Sequence, residues 1–169
     1  MKAELTLRRA TRADIPTIMA IERLPDYEHF VGRSSREGHE NMWASGRHDH
    51  FVGLDAEQAT VAFAILRDLG DPHGNVYLQR VAVTMPGRGV GAAFLDLLVA
   101  WAFAHTSAHR FFLDCFSHNA RAQRMYEKLG FRREGLMREA YLGADGTRRD
   151  LVMMALTRPE WNSAAAPST

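Results

Sequence analysis

A glycine-rich segment, residues 86–92, has the residue types and the spacing of a phosphate-binding loop. It follows a run of β-branched and apolar residues, 76–83, that predicts a strand, and it precedes an amphipathic helical run that begins at Val90. Glycines at such a junction let backbone N–H groups converge on an anion, and the positive end of the helix favours that anion. Arg88 adds a fixed positive charge. The segment predicts a phosphate site or, alternatively, a tight turn with close helix packing.

Two familiar phosphate loops do not fit these residues. A nucleoside triphosphate loop needs Lys followed by Ser or Thr after its last glycine, whereas Ala92 and Ala93 follow here. A dinucleotide loop needs a third glycine three residues after Gly89, and the chain has Ala92 there. A different phosphate-bearing ligand is therefore expected.

The composition limits the classes of protein to consider. The chain has 169 residues, enough for one domain with a core, and its net charge of +1 gives no indication of nucleic acid or of an anionic membrane surface. The single cysteine, Cys115, excludes an intrachain disulfide. No signal peptide or transmembrane span is evident. We expect a cytoplasmic domain over residues 1–161 and a disordered tail over residues 162–169.

The pattern of hydrophobic residues predicts a mixed α/β domain with the element order β-α-α-β-β-β-α-β-α-β-β. Ser34, followed three residues later by Glu37, predicts the start of the second helix, and Gly46 predicts its end. Asp145 and Gly146 predict a hairpin between the last two strands. This order gives a mixed sheet with helices on both faces and differs from the regular alternation of a doubly wound fold.

A second motif, downstream of the glycine segment by one helix and one strand, resembles a helix of the GNAT N-acetyltransferases. It matches the family pattern Asn-x-x-Ala-x-x-x-Tyr-x-x-x-Gly-Phe at Asn119, Ala122, Tyr126, Gly130 and Phe131. The resemblance covers residues 5–161. It implies the GNAT fold, acetyl-CoA as the donor and a primary amine as the acceptor.

The resemblance also assigns the residues that would bind acetyl-CoA. The backbone of Val81, Ala82 and Val83 would face the pantetheine arm, and Asn119 would bond that arm while capping its helix. The pyrophosphate would lie on the loop residues Gly87, Arg88, Gly89, Val90, Gly91 and Ala92. Pro86 stands where the family has Gln or Arg; because proline lacks an N–H, one donor to the pyrophosphate is lost, and Arg88 can compensate.

Amide formation from a thioester needs a neutral amine, a stabilised oxyanion and a proton for the departing thiolate. A backbone N–H near residues 81–83 would stabilise the oxyanion. Tyr126 matches the tyrosine of the family that lies near the CoA sulfur and acts as a general acid, since a phenol with a pKa of about 10 is protonated at neutral pH. Its alternative role is that of an aromatic core residue at helical spacing.

The group that removes the proton of the amine is less well defined. The segments 130–139 and 158–161 resemble the RimJ/RimL branch, which includes enzymes that acetylate protein N-terminal α-amines. On that basis Glu134 and Ser117 are the leading catalytic candidates after Tyr126. Earlier in the chain, further candidates are Glu22, Glu28 and His29. Any one of these side chains could instead be a solvated surface group.

Two functions from different classes follow from these patterns. The first is an acetyl-CoA-dependent N-acetyltransferase that acts on a peptide N-terminus, a small amine metabolite or an antibiotic, and a homodimer is compatible with it. A polyamine ranks lower, because residues 24–47, expected near the acceptor, carry mixed charges. The second is a catalytically weak GNAT-fold module that binds acyl-CoA or a partner, favoured by Pro86. No metal is expected, because His48 and His50 lack a third ligand.

Overall fold

Seven strands and five α-helices make up the part of the chain that the computed structural model describes, residues 4–165. The strands are β1 (Thr6–Arg9), β2 (His48–Leu54), β3 (Thr60–Arg67), β4 (Asn75–Val83), β5 (Arg110–Phe116), β6 (Arg132–Leu142) and β7 (Arg148–Thr157). The helices are α1 (Ile15–Glu22), α2 (Arg36–Ala44), α3 (Val90–His105), α4 (Ala120–Lys128) and α5 (Arg158–Ala165). The strands form one sheet in the order β1-β2-β3-β4-β5-β7-β6. The predicted element order is present, with α5 added after β7.

The start of α2 differs from the prediction. Ser35 is the N-cap, and its hydroxyl accepts the N–H of Gly38 at 3.0 Å. Ser34 instead accepts a hydrogen bond from Arg80 at 3.1 Å, and its N–H donates to Glu22 at 3.3 Å. A tertiary contact with Arg80 therefore uses the hydroxyl of Ser34, which the local pattern assigned to the N-cap. The predicted end is confirmed: the last helical residue is Ala44, and Gly46, with a left-handed φ of 65°, directly follows the C-cap Ser45.

The predicted disorder of residues 162–169 is wrong for residues 162–165, which belong to α5. The carboxylate of Glu160 accepts the N–H and the hydroxyl of Thr157, each at 2.9 Å, and thereby fixes the first turn. Alanines in the tail have the highest helix propensity, which extends that turn. Residues 166–169 lie outside the described part of the chain.

The sheet lies between two apolar layers. On one face, Phe94 and Leu98 of α3 belong to the same apolar cluster as Phe111 of β5, and all three side chains are fully buried. A Cβ on Gly53 would lie 2.7 Å from Phe94, so this close approach of β2 to α3 requires glycine. On the other face, α1 packs against β2, β3 and β4 through a smaller cluster that includes Ile18. Each large side chain buried in these layers contributes about 1.5–3 kcal/mol.

The sheet opens between β4 and β5, its parallel pair. Residues 75–78 of β4 pair with residues 110–113 of β5. Within residues 4–165, this β4–β5 pairing does not continue to Val83 or Phe116 at the ends of the two strands. The β3–β4 register leaves Gln79 unpaired as a bulge. A bulge bends its strand and increases the twist, which carries the end of β4 away from β5. The two strands therefore border a cleft in the middle of the sheet.

The last strand in the sheet, β6, is long and exposed. Ten of its eleven residues are exposed to solvent. Between Met137 and Tyr141, three residues lie opposite a single residue of β7, Asp150. The carboxylate of Asp150 accepts the N–H of Glu139 at 2.7 Å, and Glu139 has a left-handed φ of 54°. This contact stabilises the wide bulge.

Candidate active site

The backbone of β4 presents alternate residues to the cleft. Thr84 donates its N–H to Val61 of β3 at 2.8 Å, so in this antiparallel pair Ala82 also bonds toward β3. Val81 and Val83 direct their N–H and C=O groups the other way, into the cleft. Of the three predicted strand residues, these two can meet a ligand there, whereas Ala82 is buried against the smaller core cluster.

The glycine segment forms an open helix N-terminus beside this cleft. Gly87 and Gly89 have left-handed φ angles of 87° and 79°, which L side chains rarely adopt. Gly89 is the N-cap of α3, no side chain caps the helix, and its first turn holds no acidic residue. The N–H groups of Val90, Gly91 and Ala92 therefore have no partner within the helix and are available to an anion.

Arg121, which was not among the residues predicted from the sequence, is a second cation at this loop. Its guanidinium lies 3.2 Å from the position that a Cβ would occupy if Gly87 had one. Arg121 is in the first turn of α4, where a positive charge opposes the helix dipole. That unfavourable placement is the sequence signal that could have identified it. With the exposed Arg88, it gives the loop two positive charges.

Helix α4 also positions Asn119 and Tyr126. The Asn119 side chain accepts the N–H of Ala122 at 3.2 Å and is the N-cap. Tyr126 is 6% exposed and packs on Phe131, and its hydroxyl forms no hydrogen bond with any residue in the range 4–165. Burial raises the pKa of Tyr126 above its ordinary value, and the neighbouring Cys115 and Asp114 act in the same direction. The phenol therefore stays protonated at neutral pH and fits a proton donor.

Asp114, which was not among the residues predicted from the sequence, is an acidic side chain beside the cleft. It is on β5 and accepts the hydroxyl of Tyr77 at 2.7 Å. Burial raises the pKa of Asp114, although the hydrogen bond from Tyr77 lowers it. A carboxylate whose pKa is raised above its ordinary value is the better proton acceptor. The signal in the sequence was a lone acidic residue within the apolar strand Arg110–Phe116.

Aromatic rings line one end of the cleft next to Asp114. Phe116 is two residues further along β5, on the same face, and its ring lies 5.3 Å from His118 and 4.9 Å from Tyr141. Phe30, from the segment between α1 and α2, lies 5.4 Å from His118. This wall is largely aromatic and can accept an apolar group attached to an amine.

The carboxylate of Glu134 lies at the opposite end of β5 from Asp114. Glu134 forms an ion pair with Arg110 at the start of β5, which is roughly 13 Å along the strand from Asp114 at about 3.3 Å per residue. Ser117 is exposed just after β5, where its N–H donates to the carbonyl of Asp150 at 3.0 Å.

Glu22 is an anchor for the segment between α1 and α2. Its side chain is fully buried. It accepts hydrogen bonds from Arg80, His39, Arg23 and the N–H of Ser34. Burial acts to raise the pKa of Glu22, but the hydrogen bond from His39 and the charge of Arg80 outweigh it and lower the pKa. These contacts are structural, and a fully buried carboxylate that bonds four protein donors is closed off from an acceptor amine. Of the other early candidates, Glu28 forms an exposed ion pair with Arg33 at 3.4 Å, and His29 is exposed.

The two histidines considered for a metal have protein partners. His50 lies 3.3 Å from His39 and stacks on Trp43, and burial lowers the pKa of His50 to about 4. His48 bonds the hydroxyl of Ser45 at 2.8 Å. Between residues 4 and 165 no group of three or more His, Cys, Asp or Glu side chains could hold a metal ion. No helix in this range is long and apolar enough to cross a membrane.

A sheet that opens at its parallel pair, beside an open helix N-terminus and a buried phenol, fits the binding of a phosphate-bearing ligand. The chain matches the model of the acetyltransferase (GNAT) family over residues 15–131 and belongs to that family. The mixed α/β GNAT fold is confirmed. The family that matches is one of acetyltransferases.

The chain is similar to relatives with different acceptors. It is 33% identical over 75 residues to the [ribosomal protein uS5]-alanine N-acetyltransferase of Escherichia coli, a match that covers 44% of this chain and 38% of that protein. It is 22% identical to the spermidine N(1)-acetyltransferase of Vibrio cholerae, over 95% of this chain and 97% of that one. The crystal structure of the Vibrio cholerae spermidine N-acetyltransferase in complex with CoA and spermine superimposes with a TM-score of 0.82 at 20% identity. That alignment covers 94% of this chain and 98% of the other, and it shows a common fold.

Proposed function

We propose that this protein transfers the acetyl group of acetyl-CoA to a primary amine by direct attack of the amine on the thioester. The observation that carries the proposal is the helix N-terminus at Gly89, which lies open beside the cleft between β4 and β5. Around that cleft, Asp114 of β5 can take a proton and Tyr126 of α4 can give one. The open helix N-terminus at Gly89, with Arg88 and Arg121 beside it, would hold the pyrophosphate of the donor.

Each of these residues has a defined task in the reaction. Asp114 accepts a proton from the ammonium group, and the neutral amine then attacks the thioester carbonyl. The N–H of Val81, which faces the cleft, stabilises the oxyanion that forms. Tyr126 donates its proton to the departing thiolate as the carbon–sulfur bond breaks, and it regains a proton from the amide nitrogen. The balance is one proton released to solvent for each acetyl group transferred.

The acceptor that suits this site is the N-terminal α-amine of a peptide or protein, or a small monoamine, as in the RimJ/RimL branch. Asp114 can neutralise one ammonium group, and the rings of Phe116 and His118 can contact the apolar group next to it. A polyamine carries further ammonium groups, each of which needs its own acidic partner. The segment between α1 and α2 instead places the rings of Tyr27 and Phe30 at the cleft, and the nearby Arg80 of β4 is positively charged.

A thiol-release assay tests the proposal. Acetyl-CoA is supplied with an alanine-initiated peptide, a panel of monoamines and spermidine. Sustained CoA release that depends on a monoamine or a peptide is expected, with spermidine the poorer acceptor. Tyr126→Phe should lower kcat while it leaves the Kd of acetyl-CoA nearly unchanged. Equal turnover of the two proteins would remove Tyr126 from the mechanism.

A catalytically weak module that binds acyl-CoA is the second candidate. It is favoured by Pro86, which removes one N–H donor from the loop. Binding of CoA without release of thiol for any amine in the panel would support this candidate and contradict the first.

A further inference from the structure

The segment between α1 and α2, residues 24–33, forms a lid whose two ends are fastened together. The guanidinium of Arg23 donates to the carbonyl of Ser34 at 2.8 Å, and the N–H of Ser34 donates to Glu22 at 3.3 Å. Arg80 also bonds both Glu22 and the hydroxyl of Ser34. The segment therefore begins and ends at one buried cluster around Glu22 and Ser34. The ten residues between form a loop over the sheet.

The lid contacts both sides of the cleft. Tyr27 donates its hydroxyl hydrogen to the carbonyl of Val83 at 2.6 Å and accepts the N–H of Val83 at 3.2 Å. One phenol thus occupies both polar groups that this residue of β4 directs into the cleft. Phe30, one turn further on, rests against His118 beyond the end of β5. The lid spans the opening from one strand to the other.

We propose that Tyr27 is a latch that the pantetheine arm of acetyl-CoA must displace. This inference rests on the proposed function, which lays that arm along the open edge of β4. The arm contains two amide groups, each with an N–H donor and a C=O acceptor. An amide can therefore replace the phenol at Val83, bond for bond, but the two cannot bond Val83 together.

Displacement of Tyr27 has a consequence for the order of binding. Once its bonds to Val83 are lost, the lid is held by the anchor of its two ends at Glu22 and Ser34 and by apolar contacts of Leu24 and Val31 with the smaller core cluster. The lid covers the face of the cleft on which Asp114 and Phe116 lie. Donor binding thus loosens the lid, so the donor binds before the amine.

The affinities of two ligands for the wild type and Tyr27→Phe test the latch. Coenzyme A contains the pantetheine arm, whereas adenosine 3′,5′-bisphosphate contains only the nucleotide end. Tyr27→Phe removes both competing bonds, so the Kd of CoA should fall about fivefold or more, because one ordinary hydrogen bond alone corresponds to about that change. The Kd of the bisphosphate should not change. Ser163→Ala, which removes the hydroxyl that donates to the carbonyl of Pro159 in α5 at 2.9 Å, is the control and should change neither value.

Each outcome of these measurements supports or contradicts the latch. An unchanged or higher Kd of CoA in Tyr27→Phe, with the bisphosphate bound normally, overturns the latch alone. Failure of the wild type to bind CoA overturns the proposed function as well. Hydrogen exchange in the wild type gives an independent test, because the N–H groups of Phe30 and Val31 bond the carbonyl of Tyr27 at 3.1 and 2.9 Å. CoA, but not the bisphosphate, should speed exchange at these two amides, and unchanged or slower exchange contradicts the latch.

Discussion

The hydrogen bond from Tyr77 to Asp114 sets the pH range in which the amine can lose its proton. Tyr77→Phe removes this donor but keeps the ring, which stacks on Phe112 at a centroid distance of 5.0 Å. The ionised carboxylate then loses a stabilising partner, so the pKa of Asp114, already raised by burial, rises further. A hydrogen bond to a charged group contributes about 1.5–3 kcal/mol. Because Asp114 is partly exposed, the lower end applies, which corresponds to about one pH unit.

The pH dependence of kcat/KM, measured by thiol release, tests this reasoning. A proton acceptor must be ionised, so activity falls as the pH drops through its pKa. The acid limb of Tyr77→Phe should therefore lie about one pH unit above that of the wild type, with a similar plateau at higher pH. Ser163→Ala, on α5, serves as the control, and its acid limb should stay in place. A limb that does not move, or that moves to lower pH, would refute the role of Asp114.

Three further outcomes are expected. Asp114→Asn should lower kcat by about 100-fold or more and abolish the acid limb, and a retained limb would assign it to another group. Arg121→Ala should raise the Kd of CoA about fivefold in a binding titration, whereas Arg124→Ala, on the same helix, should not; equal effects would argue against a specific phosphate contact. Gly53→Ala should lower the free energy of unfolding by about 1–3 kcal/mol in a denaturant titration, because its Cβ meets the buried Phe94; an unchanged midpoint would contradict this packing.

The features that could be predicted from the sequence are those set by neighbouring residues. The glycine segment and the start of α3 at Val90 agree with the structure, because a strand, a turn and an amphipathic helix each have a local pattern. Asn119 is the N-cap of α4 for the same reason. The order of the elements then followed from the sum of these local patterns.

The features that were missed depend on contacts distant in sequence. Ser34 has the local pattern of a cap, but a bond from Arg80, 46 residues away, uses its hydroxyl. Asp114 becomes a candidate once β4 and β5 pair and bring Tyr77 within 2.7 Å. Glu134 was favoured by a resemblance, yet Arg110 binds its carboxylate. Side-chain roles of this kind need the register of the sheet, which no local pattern supplies.

The exposed strand β6 has a consequence for how the protein behaves at high concentration. An exposed edge is a template on which a strand of another molecule can assemble. Here the edge carries several arginines and glutamates, and the bulge around Glu139 interrupts its row of N–H and C=O groups. The opposite edge, β1, is four residues long. An incoming strand would find few consecutive backbone partners at either edge, so the sheet resists growth into fibrils.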